Sequence, residues 1–212
     1  MRLRKKHFAI PEMKENPYVI FDGKKYKGKW KDVFGNDNDI YLEIGAGKGI
    51  FTATSALENS NINYIMIEME TNAFIYATRK ILDYNLKNVI ALPMNAKDIL
   101  EYFGEDEVSR IYINFCNPWP KLKHQKRRLT YPDFLEKYRI ILKEGSQIYL
   151  KTDHKEFFED SVKYFQEQKF VGLISDFNMK EEDYPLNIET EYEKKWRAEN
   201  KPICLGVFEK YS

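Results

Sequence analysis

One acidic residue and three alternating glycines lie close together near the N-terminal end of the chain. Glu43 comes two residues before the first of Gly45, Gly47 and Gly49. They stand where an apolar stretch, DIYLEI (39–44), gives way to a helical pattern. Glycines at such a junction allow a tight turn and a close approach of the backbone to a ligand, and the helix N-terminus offers N–H groups. We therefore interpret LEIGAGKG as a ligand-binding loop.

Two familiar phosphate-binding patterns fit this loop poorly. A P-loop needs glycine where Leu42 stands and serine or threonine where Gly49 stands. A dinucleotide fingerprint needs its third glycine where Ile50 stands, which weakens a nicotinamide oxidoreductase as an alternative. A carboxylate at a strand end favours a cationic ligand instead. A second acid, Glu68, ends the next predicted strand, where it is placed to accept both hydroxyls of a ribose.

The densest positive charge follows a proline-rich turn. Residues 108–132 contain no acid, and the turn Asn117-Pro118-Trp119-Pro120 runs directly into a cationic stretch. The cations of this interval are Arg110, Lys121, Lys123, Lys126, Arg127 and Arg128. Residues 1–31 form a second basic block, with ten lysines and arginines against three acids, although the net charge of the chain is only +1. Two basic blocks favour a polyanionic partner, and the alternative is a pair of exposed basic loops.

The elements that position these residues alternate along the chain. The predicted strands are 39–44, 63–68, 88–93, 110–115, 146–152 and 203–210. One helix is predicted from the end of the glycine loop to about residue 59, and others over 71–85, from 130 to 145 and over 155–168. Strands without period-two alternation, separated by helices, indicate a mostly parallel sheet with helices on both faces. The sequence thus predicts one α/β domain, residues 32–212, after a basic N-terminal arm, residues 1–31.

Local patterns predict details of two helices. Thr130 with Asp133 three residues later resembles a capping box, and Gly145 suits the C-terminal stop of the helix between them. That helix is expected to bury Phe134, Leu135, Tyr138, Ile141 and Leu142. The helix over 71–85 is expected to bury Phe74, Ile75, Thr78 and Leu82.

The composition of the chain indicates where in the cell the protein is located. The sequence has no apolar run near the ~20 residues that a membrane span needs, and no apolar region follows its basic N-terminus as a secretory signal requires. Its two cysteines form neither a disulfide framework nor a metal cluster. We expect a cytoplasmic protein with no metal and no membrane contact.

The basic segment also carries a family resemblance. NFCNPWPKLKHQKRRLT (114–130) closely resembles the signature of the bacterial tRNA (guanine-N7-)-methyltransferase family. The resemblance continues in the family's order through VFGND (33–37), LEIGAGKG, LKTD (150–153) and TEYEKKW (190–196), and spans roughly residues 26–209. It implies a Rossmann-like fold, S-adenosyl-L-methionine as cofactor, and methylation of N7 of a guanine in the tRNA variable loop.

The resemblance also implies the roles of individual residues. It assigns cofactor binding to Glu43, Gly45, Gly47, Gly49, Glu68, Asn95 and Asn117, with Asn117 as the catalytic position. It assigns substrate binding to Lys121, Asp153, Thr190, Glu191, Tyr192 and Glu193. By analogy, Asp153 and Glu191 are the candidates to accept from N1 and N2 of the guanine. The cations after Lys121, and those of the arm (Arg2, Arg4, Lys5, Lys6 and the lysines of 24–31), are expected to hold tRNA phosphates.

Asn95 and Asn117 depart from the family, which usually has Asp at both positions. The carbonyl of Asn95 can still accept from the amino group of adenine. At Asn117 a neutral acceptor replaces a charged one, a loss on the order of 1 kcal/mol, which predicts a slower enzyme rather than an inactive one. The departures keep open an RNA-binding protein with weak or lost catalysis. An RNA amino-group methyltransferase also stays open, because Asn-Pro-Trp-Pro resembles the Asn-Pro-Pro-aromatic turn of those enzymes.

Two further interpretations concern chemistry and assembly. Cys116 could suggest methylation at cytosine C5, but it precedes Pro118 by two residues, whereas the nucleophilic cysteine of those enzymes follows the proline, so we predict a small buried residue. Trp119 either braces the turn or stacks on a base. The expected partner is tRNA, with no obligate protein partner, in a monomer or homodimer.

Overall fold

Seven strands form within residues 6–185 and 187–211, the part of the chain that the computed structural model describes. Six lie where apolar stretches predict them, and the seventh, Phe170–Asp176, was not predicted. The strands are β1 (Ile40–Ile44), β2 (Asn63–Ile67), β3 (Val89–Leu92), β4 (Val108–Asn114), β5 (Leu142–Thr152), β6 (Phe170–Asp176) and β7 (Cys204–Lys210). The helices are α1 (Ala9–Glu15), α2 (Trp30–Phe34), α3 (Ile50–Glu58), α4 (Thr71–Asp83), α5 (Ile99–Tyr102), α6 (Pro132–Ile141), α7 (Lys155–Glu167) and α8 (Glu191–Ala198).

The chain divides into two compact units, Met1–Phe103 and Gly104–Ser212. In the first unit β3, β2 and β1 are neighbours in that order, and both pairings are parallel. Every residue of β2 and β3 is buried, because the strands are short apolar runs with both faces covered. Their ends are in register, with Ile67 opposite both Ile44 and Leu92. The residues that follow the three strands therefore leave at one edge.

The described part of the predicted arm belongs to this first unit. Ala9 and Met13 on α1 are fully buried and pack in the same hydrophobic cluster as Phe74 of α4. Trp30 is also fully buried, and its Nε1 donates to the carbonyl of Tyr102 at 2.9 Å. Arg2, Arg4 and Lys5 lie outside the described residues. The division into an arm (1–31) and a single domain (32–212) stays a prediction.

Some of the arm's cations already have partners in the first unit. Lys6 donates from Nζ to the hydroxyl of Tyr76 at 2.6 Å, and Lys24 pairs with Glu101. These two lysines are engaged by the protein itself, so the expectation that they hold phosphates requires those contacts to be exchanged.

In the second unit the strand order is β4, β5, β7, β6. β4 and β5 are parallel, whereas β7 is antiparallel to both β5 and β6. The predicted inner face of α6 is confirmed, since Phe134, Leu135, Tyr138, Ile141 and the following Leu142 are all buried. The strands are thus mostly parallel, as predicted. Among the described residues no helix is both long and apolar enough to cross a membrane.

Three local predictions are wrong, and for the first of them a distant contact overrides the local pattern. Thr130 does not cap α6, since its hydroxyl bonds to that of Ser161 at 2.7 Å instead. Gly145 does not end α6, which stops at Ile141, and lies inside the long strand β5 with a φ of 70°. In α4 the third-turn position that faces the core is Ile81, while Leu82 is half exposed.

Candidate active site

The glycine loop joins β1 to α3, and its backbone conformation favours glycine. Gly47 and Gly49 have φ values of 55° and 69°, in the left-handed region that side chains disfavour. A Cβ at Gly49 would also lie 2.5 Å from the Cβ of Ala77, so the first turn of α3 packs directly against α4. At Gly47, by contrast, a Cβ would meet nothing within 4 Å. The middle of the loop therefore borders open space that a ligand could occupy.

Both acids predicted for the cofactor lie at strand ends of the first unit. Glu43, in β1, is only 4% exposed, and its carboxylate accepts from the hydroxyl of Thr52 at 2.6 Å. Glu68 follows β2 and is partly exposed. It accepts from the N–H groups of Gly47, Met69 and Glu70 at 3.1, 2.8 and 2.7 Å. The second predicted acid is thus bonded directly to the glycine loop.

Asn95 follows β3 at the same edge of the first unit. Its Oδ1 accepts from the N–H of Lys97 at 3.0 Å and so caps the short 3-10 turn Ala96–Asp98. Aspartate makes the same cap equally well. A carbonyl oxygen has a second lone pair, so the predicted bond to an adenine amino group remains available.

The Asn-Pro-Trp-Pro turn begins the predicted site of the second unit. Trp119 in the turn and Phe115, two residues before the turn, have φ values of 41° and 49°. Bulky residues in this region are strained, and such strain is often found at functional sites. Asn117 is exposed, and its Oδ1 accepts from the N–H of Trp119 at 3.0 Å. The turn therefore holds the amide of Asn117 at its surface in a fixed orientation.

The basic segment that follows is not uniform. Lys121, Lys123, Lys126 and Arg127 are exposed, as phosphate contacts must be. Arg128 is only 3% exposed, so its predicted phosphate contact is wrong. Its Nε donates to the carbonyl of Pro118 at 2.9 Å, and its guanidinium pairs with Asp160 at 2.7 Å. Arg128 thus braces the turn against α7.

Trp119 is covered by side chains of the same segment. The guanidinium of Arg127 lies 5.0 Å from its ring, and the ring of His124 contacts it edge-on with centroids 5.6 Å apart. These contacts support the bracing role, although a base could still replace Arg127 on the ring.

The residues predicted to hold the guanine divide into exposed and buried ones. Asp153 follows β5, is partly exposed, and its carboxylate has no hydrogen bond or ion pair within the described residues. Glu191 and Tyr192 are exposed on the first turn of α8, where Tyr192 stacks on Phe115 with centroids 6.2 Å apart. Glu193, also predicted to bind the substrate, is 0% exposed.

Comparison with known proteins decides the family. A family profile described as "Putative methyltransferase" matches residues 37–205. The tRNA (guanine-N(7)-)-methyltransferase of Desulfitobacterium hafniense (strain DSM 10664 / DCB-2) is 42% identical over 99% of this chain and 98% of that protein. The protein of the same name from Clostridium tetani (strain Massachusetts / E88) is 46% identical over 93% of this chain and 94% of that protein. The chain belongs to the tRNA (guanine-N7-)-methyltransferase family.

The fold of this methyltransferase family member is also shared with more distant proteins. The crystal structure of the 16S rRNA methyltransferase KamB superposes with a TM-score of 0.67, at 13% identity, over 87% of this chain and 94% of that one. At such low identity the likeness concerns the fold alone. It confirms the predicted Rossmann-like methyltransferase fold.

Cys116 is poorly suited to act as a nucleophile in this methyltransferase. Burial raises the pKa of its thiol to about 12, and the nearby Arg128 lowers it too little to compensate. A protonated thiol does not attack a pyrimidine ring, because the reactive species is the thiolate. Cys116 is partly exposed, so the prediction of a buried residue is wrong, but its raised pKa still argues against a catalytic thiolate.

Two residues without a predicted role, Thr52 and Lys151, and one with a different predicted role, Arg128, support the candidate residues of their own units. Thr52 holds the carboxylate of Glu43, Arg128 braces the turn, and Lys151 contacts Glu193 at 2.8 Å. Of Thr52 and Lys151, only Lys151 gave a signal, as the lysine of the motif LKTD (150–153).

Proposed function

We propose that this chain transfers a methyl group from S-adenosyl-L-methionine to N7 of a guanine in the variable loop of tRNA. The observation that carries the proposal is the bond from Gly47 to Glu68, which places a carboxylate on a glycine loop at paired strand ends. It occurs in a chain whose relatives of that name match it over nearly its whole length.

The first unit has the groups that this cofactor needs. When bound, S-adenosyl-L-methionine supplies an electrophilic methyl group on a sulfonium centre. We assign its ribose hydroxyls to Glu68, whose carboxylate is already oriented by three N–H donors. The open space at Gly47 admits a ligand beside the loop, and the carboxylate of Glu43 favours a nearby positive charge.

The second unit has the groups to hold the guanine. N7 of guanine carries a lone pair and no proton, so the protein needs no general base and its task is positioning and desolvation. Asp153 and Glu191 are acceptors suited to N1 and N2 of the base. Asn117 offers a fixed, exposed amide at the turn, where the family's usual aspartate would supply a charge.

The exposed cations hold the rest of the tRNA. Lys121, Lys123, Lys126 and Arg127 are placed to contact backbone phosphates, which position an RNA without reading its sequence.

We also propose a cytoplasmic location, because tRNA is modified there and two unpaired cysteines suit a reducing compartment. A monomer or homodimer is the assembly we propose, and light scattering of the purified protein distinguishes the two.

Methylation of an unmodified tRNA transcript tests the function. Purified protein and radiolabelled cofactor should label the transcript, and borohydride followed by aniline should cut the strand at the labelled guanine. Labelling without scission would indicate an amino-group product. Binding of cofactor and tRNA without labelling would instead support an RNA-binding protein that has lost catalysis, the alternative raised by Asn95 and Asn117.

A further inference from the structure

Among the described residues of the second unit, the most deeply buried charge pair has no role in the function proposed so far. Lys151 in β5 is 4% exposed and Glu193 in α8 is 0% exposed, and Nζ lies 2.8 Å from Oε2. Removing two charges from water is costly unless both are fully hydrogen-bonded. Such a pair therefore indicates either a structural anchor or a functional group protected from solvent.

The bonding pattern of the pair leaves no donor or acceptor for a substrate. Lys151 donates to Glu193, to Oδ1 of Asn187 and to the carbonyl of Ile188, at 2.8, 2.8 and 2.9 Å. An ammonium has three N–H groups, so all are used. The other oxygen of Glu193 accepts from Asn187 and Arg197, each at 2.8 Å. A base could not reach this carboxylate without breaking the network.

The pair joins the two segments that present the exposed candidates for guanine binding. Asp153 follows Lys151 by two residues, and Glu191 precedes Glu193 by two. Thr190 adds a helix cap, since its hydroxyl accepts from the N–H of Glu193 at 3.0 Å. Fixing Lys151 to Glu193 therefore fixes the first turn of α8 beside the end of β5.

We propose that Glu193 does not contact the substrate, and that Lys151 and Glu193 are positioning residues which set the relation between Asp153 and Glu191 for guanine binding. The inference rests on the proposed function. It replaces the role that the family resemblance assigns to Glu193, and it gives Lys151 a role that the motif alone does not.

A double-mutant cycle separates positioning from contact. We expect Lys151→Met and Glu193→Met each to raise the KM for a tRNA transcript at least tenfold, because each leaves one buried charge without its main partner. The kcat should change less than threefold, and the cofactor Kd by calorimetry less than twofold. The double variant Lys151→Met/Glu193→Met removes both charges, so its KM should return to within threefold of the wild type.

Recovery in the double variant is the decisive result, because a second substitution cannot restore a lost contact with guanine. A double variant as impaired as Glu193→Met would overturn the inference. Calorimetric cofactor binding shows whether each variant is folded. If the single variants do not fold, the double variant alone decides, since a folded double variant with tenfold raised KM contradicts positioning.

Two matched controls complete the experiment. Glu191→Met alters an exposed residue on the same turn of α8, and Lys151→Met should not rescue it. Glu159→Gln removes the exposed pair between Lys155 and Glu159, and should leave KM unchanged. If the wild-type protein does not methylate tRNA at all, the proposed function fails. If the wild type is active and both single variants have normal KM, only the positioning role fails.

Discussion

Glu68 in the first unit and Glu193 in the second are both assigned to ligand binding by the family resemblance, yet the protein holds them in opposite ways. Glu68 is partly exposed and is oriented by three backbone N–H groups, and it has no ion pair with a described residue. Glu193 is fully buried against Lys151 and Arg197. The first carboxylate keeps its charge available, whereas the second has its charge neutralised.

These two environments distinguish a carboxylate that can bind a ligand from one that supports the structure. Neutral donors fix the orientation of a carboxylate and leave its net charge to act on a ligand. A buried cation cancels that charge, and burial excludes the ligand. The pKa of Glu193 reflects this, because desolvation raises it but Lys151 and Arg197 lower it more, and the pKa is lowered overall. We expect the effects of substitution to follow the same division.

The reactivity of the Cys116 thiol, directly before the turn of the second unit, should differ most from that of the unfolded chain. Cys116 has a pKa of about 12, above the usual value of 9.0, so at pH 8 its thiol in the folded protein is protonated. Thiolate is then about a thousandfold rarer than in the unfolded chain. In a Cys204→Ala variant, alkylation at pH 8 should be slower by that factor, and should accelerate about tenfold for each unit of pH toward 12.

Mass spectrometry of samples alkylated with and without denaturant measures this rate. Alkylation of the folded protein at the unfolded rate would show that water reaches the strand end. In that case the thiol of Cys116 would titrate near its ordinary pKa, and its exclusion as a nucleophile would fail.

The next effect is on cofactor affinity. In Glu68→Gln an amide N–H₂ replaces one of the two carboxylate oxygens. It then faces either the N–H of Gly47 or the N–H groups of Met69 and Glu70, which are donors too. The substitution also removes the charge that binds the ribose hydroxyls. Charged hydrogen bonds of this kind contribute about 1.5–3 kcal/mol, so we expect the cofactor Kd to rise roughly a hundredfold. Titration calorimetry measures it, with Glu58→Gln at the exposed end of α3 as the control. An unchanged Kd would remove Glu68 from the site.

The sequence predicted the candidate site residues of the first unit better than those of the second. The reason is how far apart along the chain the contacting residues lie. Glu43, the glycines and Glu68 are marked by local patterns, an apolar strand followed by a turn. The roles of Lys151 and Arg128 depend on partners 42 and 32 residues away, which no local pattern specifies. The same limit made the capping box at Thr130 a wrong prediction, because Ser161, 31 residues away, takes its hydroxyl.

Substitution of two neighbouring arginines should have smaller effects, on stability for Arg128 and on the salt dependence of tRNA binding for Arg127. Arg128→Met leaves Asp160 and the carbonyl of Pro118 without their donor, so unfolding should become easier by about 2 kcal/mol. The salt dependence of tRNA binding should not change. Arg127→Met should do the reverse, leaving stability intact and lowering the slope of log Kd against log salt by about one. Thermal melts and filter binding measure the two quantities. A lower slope in Arg128→Met would show that the buried arginine reaches a phosphate.

Replacing the amide at the turn with a carboxylate should change the methylation rate only slightly. Asn117 accepts from the N–H of Trp119 through one oxygen, and aspartate makes the same bond, so Asn117→Asp preserves the turn. The added charge favours the positive charge that appears on the methylated guanine, worth on the order of 1 kcal/mol, and kcat should stay level or rise several-fold. Single-turnover methylation measures it, with Asn95→Asp as the matched change in the first unit. A loss beyond roughly a hundredfold, ~2.7 kcal/mol, would mean that the enzyme is adapted to the neutral amide, and that the turn does more than hold an acceptor near the base.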